Sequence, residues 1–129
     1  MFDEKVEVNS NGVNTKIKAH ILSDKKMRKI GFTDYSQDIW FFCKSIKFMK
    51  KLKYGGFDIS FSVSIPKDGS DIRIDVLDED FCQPYDYQSM LHKNPTFKPA
   101  LIVYKQVEEW MDYLQSKGVL SGHIKGEYI

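Results

Sequence analysis

A run of strict alternation constrains this chain most. Phe57, Ile59, Phe61, Val63 and Ile65 alternate with Asp58, Ser60, Ser62 and Ser64. Successive side chains of a strand point to opposite faces, so this pattern buries one face and wets the other. Pro66-Lys-Asp-Gly-Ser70 follows, with Gly69 free to take positive φ in a hairpin turn. Asp71–Leu77 then alternates again, with Ile72, Ile74 and Val76 on the core side. Such a hairpin needs a cover, and Pro99–Lys117 supplies one. There Ala100, Val103, Val107, Trp110 or Met111, and Leu114 form an apolar helical stripe, with Pro99 at the start and Gly118 as the stop. The expected fold class is α+β. An antiparallel sheet of at least three strands, built from hairpins, is packed on one face by a long C-terminal amphipathic helix.

The remaining segments are less decided. Val6 and Val8 alternate with charged residues, Asn11-Gly12 is a turn signal, and Val13, Thr15, Ile17, Ala19 and Ile21 alternate beyond it. This predicts a β-hairpin over residues 5–22, although Ile17, Ile21 and Leu22 also suit a helix face. Ser23 predicts the cap of a short helical turn at Asp24–Ile30, and Gly31 its stop. Two readings compete for residues 37–53. Ile39, Phe42, Ile46, Met49 and Leu52 recur at three- and four-residue spacing, which favours a second helix capped by Ser36. Asp38 suits its first turn and Lys50, Lys51 and Lys53 its last, whereas the run Trp40-Phe41-Phe42 pulls towards strand. Tyr85–Lys93, between Pro84 and Pro95, suits a short helix or a long turn. Residues 122–129 are expected to hang free.

Length and composition narrow the function classes. A chain of 129 residues with no Pro/Gly/Ser-rich break reads as a single domain over 1–129, and 42% apolar content argues against disorder. Nineteen basic residues against eighteen acidic leave a net charge of +1, so bulk charge predicts neither nucleic-acid nor membrane binding. No apolar run approaches the roughly 18 residues that span a bilayer. Met-Phe-Asp-Glu-Lys lacks the pattern of a signal peptide, and Cys43 and Cys82 fit neither a zinc ribbon nor a CxxC motif. The expectation is a cytoplasmic chain with reduced thiols and no cofactor.

Two charged constellations carry the functional reading. Asp75, Asp78, Glu79 and Asp80 gather at the end of the Asp71–Leu77 strand. Hard carboxylate oxygens are what magnesium or calcium requires, and a metal-dependent hydrolase would need at least two of Asp75, Asp78 and Asp80 to converge within about 5 Å. The spacing matches no EF-hand, and a solvated strand end that caps Tyr85–Lys93 is the simpler reading. No metal is assigned. The second constellation is Lys44, Lys47, Lys50, Lys51 and Lys53, followed by Tyr54, with no acid among residues 44–53. On a helix, Trp40, Lys44, Lys47 and Lys51 fall on one face. Cations beside a stacking ring suit nucleic acid, provided Trp40 or Tyr54 is exposed. Ordinary solvation and the helix dipole account for the same lysines. Close together the two constellations would answer each other; apart, they suit a charged protein partner.

Other chemistry has thin support. Trp110, Tyr113 and Tyr104, with Tyr85 and Tyr87, suggest an aromatic binding patch, although an aromatic on a helix stripe is more often core. His20, His92 and His123 are scattered, and GxSxG, P-loop and GxGxxG patterns are absent from the sequence. A thiolate at Cys82 would be opposed by Asp78, Glu79 and Asp80. No catalytic residue is assigned.

The segment Leu22–Asp34, the run Trp40-Phe-Phe, and Asp75–Phe81 followed by Gln83-Pro-Tyr-Asp-Tyr87 resemble small uncharacterised proteins of bacterial phages and integrative elements, over roughly residues 15–129. The resemblance implies a bacterial cytoplasm and an accessory role for a mobile element, and it brings no activity or site residues with it. The function expected from the sequence is a non-enzymatic binding protein acting through a protein partner. Nucleic-acid binding through residues 44–54 and a metal-dependent hydrolase at the acidic strand end are the alternatives.

Overall fold

The alternating segment is the centre of the sheet. The computed structural model describes residues 6–8, 17–47, 59–69, 72–79 and 82–124, the side chains of residues 6–8 and 35 excepted. Along the chain lie β1 (Val6–Val8), β2 (Lys18–Ala19), α1 (Asp24–Ile30), β3 (Thr33–Ser36), β4 (Ile39–Ser45) and β5 (Ile59–Pro66). They are followed by β6 (Ile72–Asp78), β7 (Gln83–Pro84), α2 (Tyr87–Lys93), α3 (Lys98–Ser116) and β8 (Leu120–Ser121). The main sheet has the order β1-β6-β5-β4-β3, with β7 on β6, and β2 pairs with β8 apart from it. Strands β3 to β6 are antiparallel neighbours in chain order, the hairpin-built core that the alternation predicts. Ile59, Phe61, Val63, Ile65, Ile72, Ile74 and Val76 are all fully buried.

Helix α3 covers that face. Ala100, Val103, Val107, Met111 and Leu114 are fully buried, the stripe expected of it. Between the two readings of position 110 or 111, Met111 is the core residue, and Trp110 is half-buried. Phe42 joins the layers: its ring meets Phe61 within the sheet and Trp110 and Tyr113 on α3. Short α1 forms as its ends dictate. The Ser23 hydroxyl accepts from the Lys26 N–H at 3.3 Å, and Gly31 stops the helix at φ +126°. A Cβ at Gly31 would be strained by the positive φ and would also press on the Phe42 ring at 3.1 Å.

Three expectations are corrected. The segment at 37–53 is not a helix over its described part: Ile39–Ser45 pairs along its whole length with β5, from Ile39 opposite Pro66 to Ser45 opposite Ser60. Trp40, Phe42 and Ile46 are buried at even spacing, so the period of two prevails over the three-and-four spacing. The decisive factor is the edge of β5, whose backbone groups would otherwise lack partners beneath the core. Ser36 accordingly caps no helix. It ends β3, and its hydroxyl accepts from Asp38 N–H at 3.4 Å in the turn to β4.

The second correction is the N-terminal hairpin over 5–22. β1 lies parallel to β6, with Val6 opposite Ile72, while β2 pairs antiparallel with β8, with Ala19 opposite Leu120. Alternation identifies a strand but not its neighbour, and here the two strands join different sheets. The third concerns the C-terminal tail. His123 is buried, its Nε2 lies 2.9 Å from Glu108 Oε1, and its backbone N–H donates to Gln115 Oε1 at 3.0 Å. The chain is therefore held to α3 as far as His123. Residues 125–129 lie outside the described residues. Among the described residues, no helix is long and apolar enough to cross a membrane.

Candidate partner-binding surface

The lysine-rich segment begins on β4, where Lys44 follows Trp40 and Phe42 on the sheet face that α3 covers. Its ammonium stands 5.3 Å from the Trp110 ring centre and 5.5 Å from that of Phe42. An ammonium over an aromatic face is attracted by the ring quadrupole, so Lys44 is held without an anion. Lys47 lies just past the strand end and is fixed through its backbone. Its N–H donates to Gln106 Oε1 at 2.8 Å, and its carbonyl accepts from Gln106 Nε2. A cavity of about 380 Å³ opens between Lys47, Gln106 and Trp110, with Glu109 on its rim. Lys50, Lys51, Lys53 and Tyr54 lie outside the described residues.

Trp40 does not belong to this surface. It is 1% exposed, with Lys67 Nζ 4.5 Å and the Arg28 guanidinium 5.4 Å from its ring centre. The ring beside the lysines is Trp110. On α3, Gln106, Trp110, Tyr113 and Lys117 follow at spacings of four, three and four, which stacks them along one side of a helix. Trp110 meets Tyr113 edge to face at 5.6 Å, and Lys117 Nζ stands 5.7 Å from the Tyr113 ring. The Tyr113 hydroxyl donates to the Ile30 carbonyl at 2.7 Å and ties α3 to α1. There a second cavity of about 490 Å³ lies between Lys26 and Lys29 on one side and Lys117 on the other.

Arg28, Lys67 and Arg73 are paired within the chain, whereas Lys25, Lys93, Lys98 and Lys105, like the lysines beside these rings, have no carboxylate within 4 Å among the described residues. Arg28 and Lys67 share Asp34, at 3.7 and 2.8 Å, and Arg73 lies 4.0 Å from Asp75. Lys26, Lys29, Lys44, Lys47 and Lys117 have no carboxylate within 4 Å among the described residues. The acids of α3 fall mainly elsewhere. Glu108 and Asp112 line a different hollow, with Tyr104, Lys105 and Glu109. Tyr104 and Tyr113 thus sit on different sides of α3, as their spacing predicts.

The acidic strand end is taken apart by the sheet. Asp75 and Asp78 are three residues apart on β6, an odd number, so they point to opposite faces. Asp78 is buried on the side of Ile72, Ile74 and Val76. Asp75 is half-buried on the other face, opposite Ser62 and beside Arg73. The convergence that a metal-dependent hydrolase needs is absent between these two. Glu79 is exposed, and Asp80 lies outside the described residues. No group of three metal-ligating side chains occurs among the described residues. Nor does this cluster cap α2: that cap is Asp86, whose Oδ1 accepts from Ser89 N–H at 3.0 Å. Burial raises the Tyr85 phenol above its usual value of 10.0, and the nearby charge of Asp78 adds to the effect.

Sequence reasoning grouped Lys44 and Lys47 with Trp40, whereas the tryptophan beside them is Trp110. Trp110 and Tyr113 were legible as aromatics on the long helix. Their place beside the lysines depends on α3 crossing the end of β4, which no local pattern encodes.

No protein-family model matches this chain, and no curated protein matches it. Among solved structures, the chain resembles a DUF1831 family protein from Lactobacillus plantarum with a TM-score of 0.63 and 11% identity, over 93% of this chain and 96% of that one. At that identity the likeness establishes a shared α+β fold alone.

Proposed function

We propose that this chain is a non-enzymatic binding protein that docks an acidic segment of a protein partner along the Lys44–Lys117 side of α3. One observation carries the reading: five lysines with no carboxylate within 4 Å among the described residues flank the half-buried rings of Trp110 and Tyr113. Half-buried aromatics ringed by unpaired cations are what a partner with acidic and apolar side chains would anchor on. From Gln106 to Lys117 the strip runs about 17 Å at roughly 1.5 Å per residue, the reach of some five residues of extended peptide at roughly 3.3 Å each. Glu109 on the cavity rim and a net charge of +1 favour such a short acidic segment over a long polyphosphate backbone. An accessory role for a mobile element rests on the sequence resemblance alone.

Fluorescence anisotropy with a labelled Glu-rich peptide containing one aromatic residue, at low and moderate salt, tests this reading. Salt-sensitive binding that disappears in Lys44→Glu/Lys47→Glu supports it. Tighter binding of a single-stranded oligonucleotide through the same residues would move the assignment to nucleic acid. If neither ligand binds at low salt, the reading is wrong.

A further inference from the structure

The cavity between α1 and the end of α3 shares Lys26, Lys29, Lys117 and Tyr113 with the partner surface, and it carries an inference that needs no protein partner. It is lined by the apolar Leu22 and Ile30, the Tyr113 side chain, three lysines, Lys26, Lys29 and Lys117, and Ser116. At about 490 Å³ it is of the size that holds small organic ligands, roughly 300–1,000 Å³.

The plain alternative is that these lysines merely answer helix dipoles. Both helices end here, and Lys29 and Lys117 sit in the last turn of α1 and at the end of α3. Each helix C-terminus contributes at most about half a negative charge, so the two together offset roughly one of three cations. An excess of roughly two positive charges remains, and no carboxylate lines the cavity. Lys26 and Lys29 are three residues apart on one helix, which places two like charges side by side. A shared anion would relieve that repulsion.

The hydroxyls sharpen the chemistry. Tyr113 spends its proton on the Ile30 carbonyl at 2.7 Å, and Ser116 spends its own on the Tyr113 carbonyl at 2.7 Å. Among the side chains that line the cavity, the donors left for a ligand are therefore the lysine ammonium groups. Such a site reads negative charge beside apolar side chains rather than a hydrogen-bonding pattern.

We infer that this cavity binds a small amphipathic anion, an apolar or aromatic body bearing one carboxylate or phosphate group, with Leu22, Ile30 and Tyr113 taking the body and Lys26, Lys29 and Lys117 the charge.

The test is a ¹H–¹⁵N NMR titration of the full chain with phenyl phosphate, octanoate and inorganic phosphate. Phenyl phosphate or octanoate should give saturable shifts centred on Ile30, Ser116 and Lys117. Inorganic phosphate, lacking the apolar body, should bind about tenfold more weakly. Lys26→Gln/Lys29→Gln should weaken binding about tenfold per lysine while peaks outside the cavity stay in place. Lys44→Glu/Lys47→Glu should leave it unchanged, so loss of the partner-docking reading does not remove this one. Absence of saturable shifts at millimolar ligand would overturn the inference. So would equal effects of all three anions spread over every exposed lysine.

Discussion

The two tryptophans sit under lysines in nearly the same way and lead opposite lives. Lys67 lies 4.5 Å above Trp40, and Lys44 lies 5.3 Å from Trp110. At Trp40 the cation is also bonded to Asp34 at 2.8 Å, Arg28 closes the other side, and the ring is 1% exposed. At Trp110 no carboxylate lies within 4 Å of Lys44 among the described residues, and the half-buried ring lines a cavity. The first cluster has satisfied its charges within the chain and serves the fold. The second has left charge and apolar surface unspent, which is why docking is proposed there. A cation over a ring is therefore no sign of function until its counter-charge has been located.

Truncating the two rings gives the largest contrast. Trp40→Ala should cost about 3–5 kcal/mol, because the side chain is wholly buried. Trp110→Ala should cost about half as much, since its ring is only half-buried. Urea denaturation measures both, and equal losses would mean that the two sites are not different in kind. The hydrogen bond of the neighbouring Tyr113 comes next. Tyr113→Phe removes the donor to Ile30 and should lower stability by about 1 kcal/mol in the same assay. A loss near zero would show that the α1–α3 contact is held by packing alone.

Charge makes smaller differences to stability and sharper ones to accessibility. In Trp40→Phe, where Trp110 is the remaining tryptophan, iodide should quench fluorescence more strongly than neutral acrylamide predicts, since unpaired lysines concentrate the anion. The excess should fade with added salt and with Lys44→Glu/Lys47→Glu. In Trp110→Phe the ring that remains should resist both quenchers. Asp34→Asn should cost the least, about 0–1 kcal/mol, as the pairs it breaks are partly exposed. Its informative effect is on iodide quenching of Trp40, because it would leave Lys67 and Arg28 as unpaired as Lys44.

Much of the frame was legible in residue order. The β5–β6 hairpin followed from alternation around Gly69, α1 from Ser23 and Gly31, and α3 from a stripe bounded by Pro99 and Gly118. The lysines were legible as a cluster. Their neighbours were not, because the face on which Lys44 lies depends on whether residues 39–45 count in twos or in threes and fours. Asp75 and Asp78 make the same point from the acidic side. Three residues apart in sequence, they are parted by the pleat to opposite faces of one strand.

By itself, then, the sequence determined where apolar faces arise and where helices start and stop, since propensity, capping and turn chemistry act within a few residues. Only the tertiary structure decided that residues 39–45 are a strand, that β1 joins β6 while β2 joins β8, and which ring meets which lysine. Those outcomes depend on satisfying the backbone groups of a buried sheet edge and on the line along which α3 crosses it. Both are interactions between segments far apart in the chain, and local patterns do not carry them.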